Sequence, residues 1–193
     1  MVIISGPSGV GKDSVLRALK DVNLPFHFVV TANTRAPRPD EQEGVDYFFV
    51  NRKLFEDMIA QDELIEYAQV YNDYKGIPRK QIEQAISSGK DILMRLDVQG
   101  AERMRTLFPQ AVLIFLLPEN EQSWLNRLSV RGNDPSKDYE LRRQTVAKEL
   151  KKIGIFDYLV TNADEHLQQA VDTILDIIRV EHLRVHHRTI ILK

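Results

Sequence analysis

A glycine-rich stretch near the start of the chain carries residues suited to holding phosphate groups. "GPSGVGKDS" fits the phosphate-loop pattern G-x-x-x-x-G-K-[ST] from Gly6 to Lys12, but Asp13 replaces the final hydroxyl residue. Glycines let backbone N–H groups turn toward an anion, and the lysine of this pattern reaches the terminal phosphates. The candidate nucleotide-binding residues of this phosphate loop are Gly6, Ser8, Gly9, Val10, Gly11, Lys12, Asp13 and Ser14.

The elements predicted on either side of the loop are those that it requires. "MVIIS" is a short apolar run typical of a buried strand, and "SVLRALKDV" places Val15, Leu16 and Leu19 on one helical stripe. The helix would turn the positive end of its dipole toward a bound phosphate. A plain glycine turn is the alternative, and the order of strand, loop and helix disfavours it.

A second candidate anion site lies in "TANTRAPRP", where Arg35 and Arg38 stand on either side of Pro37. Proline stiffens the loop, and two guanidinium groups form a fork suited to a phosphate. Tyr47, in "GVDYFFV", would add a hydroxyl donor. Considered alone, the stretch is equally consistent with a solvated surface loop.

The rest of the chain alternates strands with helices. "FHFVVT", "DILMRLD", "AVLIFLLP" and "FDYLVTN" predict strands, and "EHLQQAVDTILDIIRVEHL" predicts a closing amphipathic helix. This alternation indicates an α/β fold, in which a parallel sheet carries helices on both faces. The segment from about residue 35 to 89 breaks the rhythm and predicts an inserted lobe. It includes a helix, "NRKLFEDMIAQ", capped by Asn51, with Leu54, Phe55, Met58 and Ile59 facing inward.

Composition limits the possible functions. The 193 residues suit one α/β domain, and 26 basic against 28 acidic residues give a net charge of −2, which argues against a general nucleic-acid surface. The chain has no cysteine, so disulfides and cysteine-bound zinc are excluded. No apolar run approaches the roughly 20 residues of a membrane span, and we expect neither a membrane partner nor a signal peptide.

Further motifs follow the phosphate loop in an order typical of one family. From start to end the chain contains "GPSGVGK", "TRAPR", "GVDYFFV", "ELIE", "YKG", "DVQGA" and "RLSVRG". In this order and at compatible spacings, the motifs resemble the guanylate kinase family over nearly the whole chain. The stretches "GVGKDS", "YKGIP", "RLDVQGA" and "RVHHR" resemble most a subgroup that includes plant organellar and some bacterial enzymes.

The resemblance implies phosphoryl transfer from ATP to GMP, and to dGMP, with Mg²⁺. It implies the α/β/α P-loop NTPase fold of nucleoside monophosphate kinases, with a parallel sheet, an inserted GMP-binding lobe and a lid. The single domain would have a core of residues 1–34, 90–125 and 145–193, a lobe of about 35–89 and a lid of about 126–144. The implied GMP-binding residues are Thr31, Arg35, Arg38, Tyr47, Glu66, Lys75 and Asp97.

Glu66 has the chemistry to select guanine, because a carboxylate accepts the adjacent N1–H and N2–H₂ donors that adenine lacks. The resemblance also implies that Arg127, Arg131 and Arg142 are lid arginines and that Asn162 contacts adenine. Arginines brought in by a lid would stabilise charge on the transferred phosphoryl group. The implied catalytic residues are Lys12, Arg35, Arg131 and Arg142, and Arg127, Arg131 and Asn162 join the ATP-binding set.

The sequence departs from the family pattern near the metal and near guanine. Asp13 replaces a hydroxyl residue, and Arg95 stands where many members carry an acidic residue. We hypothesise that Asp13 enters the magnesium shell and that Arg95 balances its charge. A simple Asp13–Arg95 ion pair, with magnesium held by phosphates and water, is the rival. Lys75 could still meet the GMP phosphate, but Ile77 cannot donate a hydrogen bond to guanine O6.

Two other functions remain open from the sequence. One is another small kinase on this scaffold, such as ribose 1,5-bisphosphate kinase, which shares "GKDS". The other is a non-catalytic guanylate-kinase-like interaction module, which the presence of Lys12, Arg131 and Arg142 disfavours. We expect a monomer or homodimer in the bacterial cytoplasm. A location in an organelle stroma or matrix is the alternative, if an upstream targeting segment was trimmed.

Overall fold

The computed structural model describes residues 1–70, 72–130, 145 and 147–192. Its strands are β1 (Val2–Ser5), β2 (Phe26–Phe28), β3 (Thr31–Asn33), β4 (Tyr47–Phe49), β5 (Leu64–Val70), β6 (Asp73–Pro78), β7 (Asp91–Arg95), β8 (Val112–Pro118) and β9 (Tyr158–Asn162). The α-helices are α1 (Lys12–Asp21), α2 (Arg52–Ala60), α3 (Arg79–Ser87), α4 (Val98–Leu107), α5 (Glu121–Val130) and α6 (Leu167–His182), and a 3₁₀ turn spans Ile153–Ile155.

Five strands form a parallel sheet in the order β2-β7-β1-β8-β9. β1 is buried along its whole length and pairs with β8 from Val2 opposite Val112 to Ser5 opposite Phe115. Buried apolar strands of this kind belong to sheets covered on both faces. The α/β fold with a parallel sheet, predicted from the alternating pattern, is confirmed.

The chain divides into two compact units. The first comprises Met1–Leu24 and Arg95–Ile191, and the second comprises Pro25–Met94 with Leu192. In the first unit, the predicted stripe of α1 is buried, and α6 buries a matching stripe of its own. The buried residues of the two helices are Val15, Leu16, Leu19, Ala170, Val171, Ile174 and Ile178. Among the described residues, no helix is long and apolar enough to cross a membrane.

The second unit contains a four-stranded sheet in the order β4-β3-β6-β5. The helix α2 begins where predicted, because the Asn51 side chain accepts the N–H of Leu54 at 2.8 Å. Phe55 of α2 is fully buried and stacks on Tyr74 with ring centroids 5.2 Å apart. Leu54 is 47% exposed, so the prediction that it faces inward is wrong.

The predicted strand "FHFVVT" is two strands in two sheets. Phe26–Phe28 pairs with β7, whereas Thr31–Asn33 pairs with β4 and β6. The Val29 N–H still bonds to Leu93 at 2.9 Å, but the Val30 N–H donates to the Gln81 side chain at 3.1 Å. An apolar run cannot indicate this change of partner, because both halves have the composition of a buried strand.

Candidate active site

The phosphate loop connects β1 to α1 in the first unit. The helix begins at Lys12, directly after Gly11, so its first N–H groups face the loop. Gly6 has φ +142°, and a Cβ there would lie 2.5 Å from the backbone oxygen of Leu116. Gly11 has φ +95°, and a Cβ there would lie 2.4 Å from Nδ2 of Asn162. Both positions therefore require glycine, and the loop is a backbone cradle of the kind that binds phosphate.

Lys12 folds back over this cradle. Its Nζ donates to the carbonyl oxygens of Gly6 at 2.6 Å and Pro7 at 3.0 Å. These bonds place a positive charge across the loop, where the sequence pattern predicts contact with phosphates.

Asp13 lies in the first turn of α1 and pairs with Arg95. Arg95 Nε lies 2.7 Å from Asp13 Oδ1, and the Arg95 side chain is only 7% exposed. The ion pair expected between these residues is therefore present. Among the described residues, no group of three or more acidic or histidine side chains could hold a metal ion. From the described residues, a cation here would take at most two carboxylate or imidazole ligands, and the metal role of Asp13 stays a prediction.

Side chains from α5 and β9 hold the phosphate loop through its carbonyl oxygens. Arg127 donates from Nη1 to Val10 at 3.1 Å and from Nη2 to the Asn162 carbonyl at 2.9 Å. The Asn162 side chain, nearly fully buried, donates to Val10 at 2.8 Å. Trp124 Nε1 donates to the Ser8 carbonyl at 2.8 Å. These bonds satisfy the carbonyl oxygens of Ser8 and Val10, and the Val10 N–H donates to the Pro7 carbonyl within the loop at 3.3 Å.

Asp164 completes this arrangement. Arg127 Nε donates to Asp164 Oδ1 at 2.7 Å, and Ser123 donates its hydroxyl to the other carboxylate oxygen. The hydrogen bond from Ser123, followed by that from Arg127, lowers the pKa of Asp164. The carboxylate thus stays charged and orients the guanidinium that supports the loop.

A cavity of about 500 Å³ adjoins the loop within the first unit. Its lining includes Gly11, Ser14, Arg127, Asn162 and Asp164. The volume falls in the range of small-molecule sites. Of the residues predicted to bind ATP, those that line this cavity are Gly9, Gly11, Ser14, Arg127 and Asn162. Arg131 and Arg142 lie outside the described residues.

The candidate anion site of the second unit is built from side chains. Arg35 and Arg38, here called the arginine fork, both contact Glu41. Arg35 donates from Nη1 to Glu41 Oε2 at 2.7 Å and from Nη2 to Oε1 at 2.5 Å. Arg38 donates its backbone N–H to Glu41 Oε2 at 2.8 Å, and its Nη1 lies 3.5 Å from Oε1. The Arg35 guanidinium also lies over Tyr47, 5.1 Å from the ring centroid.

Glu41 is almost buried, with 4% of its side chain exposed. Burial opposes the charged form, but the hydrogen bonds from Arg35 and Arg38 and the two positive charges outweigh it and lower the pKa of Glu41. The carboxylate is therefore ionised at neutral pH. Glu41 was not among the residues predicted from the sequence, although a carboxylate three residues after Arg38 is a local signal.

Strand register brings four of the seven predicted GMP-binding residues to one face of the four-stranded sheet. Thr31 stands opposite Tyr47, and Asn33 stands opposite Lys75. Residues opposite one another share a face, and so do residues two apart on a strand. Thr31, Tyr47 and Lys75 therefore point the same way, from three neighbouring strands.

Glu66 shares this face because it stands opposite Ile77, two residues after Lys75. Glu66 is buried, and Ile77 is fully buried beside it. Ile77 therefore places an aliphatic side chain opposite Glu66, where a hydrogen-bond donor would be needed to contact guanine O6. Asp97 lies in the first unit, where it caps α4 by accepting the N–H of Gly100 at 3.0 Å.

Comparisons of sequence and of structure with known proteins both indicate the guanylate kinase family. The family model described as guanylate kinase matches residues 1–181. "Guanylate kinase 2, chloroplastic/mitochondrial" from Oryza sativa subsp. japonica is 44% identical over 98% of this chain and 67% of its own length. The guanylate kinase of Latilactobacillus sakei is 43% identical over 96% of this chain and 91% of its own length.

Solved structures agree. The crystal structure of guanylate kinase from Anaplasma phagocytophilum has a TM-score of 0.78 at 28% identity, and the match covers 96% of this chain and 87% of that one. Shikimate kinase from Bacteroides thetaiotaomicron, at 10% identity and a TM-score of 0.50, shares the fold alone.

Proposed function

Because the chain belongs to the guanylate kinase family, we propose that it transfers the terminal phosphoryl group of ATP to GMP, and to dGMP. A phosphate oxygen of GMP attacks the γ-phosphorus of ATP, and the bond from that phosphorus to the β–γ bridging oxygen breaks. The products are GDP and ADP, and no protein nucleophile takes part. The observation that supports the proposal is that the chain has a glycine cradle crossed by Lys12 and, in its second unit, two arginines gathered in one loop.

On the ATP side, we assign the phosphates to the loop N–H groups and Lys12. Ser8, Gly9 and Val10 belong to this cradle, and Ser14 lines the adjoining cavity. The polar lining from Arg127 and Asn162 suits the adenosine part of the nucleotide. Arg131 and Arg142 are proposed to stabilise charge on the transferred group.

On the GMP side, the arginine fork and Tyr47 receive the phosphate, with Lys75 as an additional positive charge. Thr31 adds a hydroxyl on the same face. Glu66 accepts hydrogen bonds from guanine, and Asp97 remains a proposed second acceptor.

Magnesium would screen the phosphate charges during transfer. Asp13 is the carboxylate placed at the loop, and it fits a magnesium shell in which water and phosphate supply the other oxygens. Its ion pair with Arg95 means that these two residues would act together. We propose that Arg95 sets the position of the Asp13 carboxylate.

The function is tested by measuring ADP release with GMP, dGMP, AMP and ribose 1,5-bisphosphate, each with and without Mg²⁺. We expect turnover of GMP and dGMP that requires Mg²⁺, and loss of turnover in Lys12→Met. Turnover of ribose 1,5-bisphosphate in preference to GMP would replace the proposal with the other kinase. No turnover of any substrate would favour a binding module.

The metal assignment is tested with Asp13→Ser, Arg95→Asp and the double variant. Calorimetric binding of ATP at a series of Mg²⁺ concentrations gives a readout that does not depend on turnover. If the two residues act together, their effects on Mg²⁺ dependence are non-additive. Additive effects would contradict the coupling.

A further inference from the structure

Glu41 contacts both members of the arginine fork, yet it belongs to none of the motifs that point to function. One carboxylate oxygen accepts from Arg35 Nη2, and the other accepts from Arg35 Nη1 and from the Arg38 backbone N–H. A buried carboxylate with three such donors is a fixed part of the loop rather than a solvated side chain.

The backbone keeps this carboxylate in place independently of Arg35. The Glu41 N–H donates to the Arg38 carbonyl at 3.0 Å, while the Glu41 side chain accepts the Arg38 N–H. This reciprocal pair closes a turn between Arg38 and Glu41. The carboxylate is therefore positioned by the turn and then orients the arginines.

Arg35 is held on its other sides as well. Its backbone N–H donates to Asn33 Oδ1 at 3.1 Å, and its Nη1 donates to the Ala36 carbonyl at 2.9 Å. The guanidinium lies over Tyr47 and over Phe49, 5.6 Å from the latter's ring centroid. A long side chain with several torsions is thus confined to one arrangement, with the bidentate contact to Glu41 as its strongest restraint.

We propose that Glu41 is a positioning residue that presets the arginine fork for a phosphate monoester. The inference rests on the proposed function, because it assigns the phosphate of GMP to this fork. Presetting lowers the entropy lost when the ligand binds. The carboxylate also offsets one of the two positive charges, so the arginines can lie near each other before the phosphate arrives.

The opposite role for Glu41 is competition, in which the carboxylate occupies the place of the phosphate and must leave. Competition and positioning predict opposite changes when the negative charge is removed. Glu41→Gln keeps the shape of the side chain and loses the charge. If Glu41 positions the fork, Glu41→Gln weakens GMP binding. If Glu41 competes with the phosphate, Glu41→Gln strengthens GMP binding.

The experiment compares wild type, Glu41→Gln and the matched control Glu43→Gln. Glu43 is a carboxylate of the same loop, but its side chain accepts the N–H of Phe49 at 2.8 Å, a bond that glutamine can keep. Calorimetry measures GMP and guanosine binding, steady-state kinetics gives KM and kcat, and thermal unfolding checks the fold. Glu41→Asp keeps the charge but shortens the side chain, so it cannot reach the fork in the same way. It provides the same binding test if Glu41→Gln does not fold.

For Glu41→Gln we expect Kd and KM for GMP to rise about tenfold, because charge-assisted hydrogen bonds to the fork are lost. Guanosine binding, the KM for ATP and kcat at saturating GMP should change by less than about twofold. Glu41→Asp should show the same pattern, and Glu43→Gln should match wild type.

Unchanged or tighter GMP binding in Glu41→Gln would overturn the positioning role and leave the proposed function intact. An equal loss of GMP and guanosine binding would also overturn it, since the effect would then be on the whole lobe. If wild type itself binds no GMP, the proposed function and the inference both fail.

Discussion

The two candidate anion sites of this protein are built in opposite ways. The phosphate loop of the first unit presents backbone N–H groups, and its carbonyls are held by Trp124, Arg127 and Asn162 from distant parts of the chain. The arginine fork of the second unit presents side chains, and its main support, Glu41, is a residue of the same loop. One site is fixed by tertiary contacts and the other by a local turn.

This difference determines how each site can be changed. A backbone site depends on φ angles and close approach, so a substitution either fits or displaces the loop. A side-chain site depends on charges and hydrogen bonds that a substitution can remove one at a time. We therefore expect all-or-none effects at the phosphate loop and graded effects at the arginine fork.

The largest effect should come from Gly6→Ala. The new Cβ would lie 2.5 Å from the Leu116 backbone oxygen, which cannot move without disturbing β8. We expect a loss of about 3 kcal/mol in the free energy of unfolding and no measurable ATP binding. Chemical denaturation and calorimetry give the two values.

Gly89→Ala is the matched control for this prediction. Gly89 also has a positive φ, of 64°, but a Cβ there would meet nothing within 4 Å. It should cost about 1 kcal/mol from backbone strain alone and leave ATP binding unchanged. Equal costs for the two glycines would show that the loop is not held as tightly as the distance to Leu116 indicates.

A smaller effect should follow from Arg127→Lys. A single ammonium group cannot reproduce the planar contacts of the guanidinium with Val10, Asn162 and Asp164. We expect ATP affinity to fall about tenfold while GMP affinity stays the same, because the support of only one site is altered. Calorimetry with each nucleotide measures both.

Arg179→Lys provides the control for that exchange, since Arg179 forms an exposed pair with Asp176 on α6. It should leave both affinities unchanged. A fall in GMP affinity for Arg127→Lys, as large as that for ATP, would mean that the two sites do not have separate supports.

The sequence predicted the backbone site better than the side-chain site, for a physical reason. Glycine spacing, an apolar strand and a helical stripe are local patterns, so they indicated the phosphate loop and its flanking elements. The family resemblance drawn from the ordered motifs is confirmed by matches that cover nearly the whole of this chain. The ion pair of Asp13 with Arg95, named from the sequence as the rival to a magnesium role for Asp13, is present, and the magnesium role stays a prediction.

Tertiary supports were not predictable in the same way. Trp124 lies 116 residues from its partner Ser8 along the chain. Asp164 lies 37 residues from its partner Arg127, through which it supports the loop. Arg127 was expected as a lid arginine, and its bonds to the loop carbonyl and to Asp164 depend on how α5 packs. Glu41 was predictable from the local sequence, since a carboxylate three residues from an arginine can close a turn, but it lies outside the family motifs.

The smallest expected effect concerns acid and separates the two sites by titration. Backbone N–H groups do not titrate, whereas Glu41 does, with a folded-state pKa lowered below its ordinary 4.5. The unfolded chain therefore takes up a proton at Glu41 more readily than the folded one. The stability that Glu41 contributes is present above pH 4.5 and is lost as the pH falls through the lowered pKa.

Unfolding free energies of wild type and Glu41→Gln, measured from pH 7 down to about pH 4, test this. We expect wild type to be more stable by about 1 kcal/mol at pH 7, and the gap to narrow below pH 4.5. The gap between wild type and Gly89→Ala, which changes no titratable group, should stay constant over the same range. A Glu41 gap that is equally constant would mean that the charge of this carboxylate does not hold the fork, and the contrast between a backbone site and a charge-built site would lose its basis.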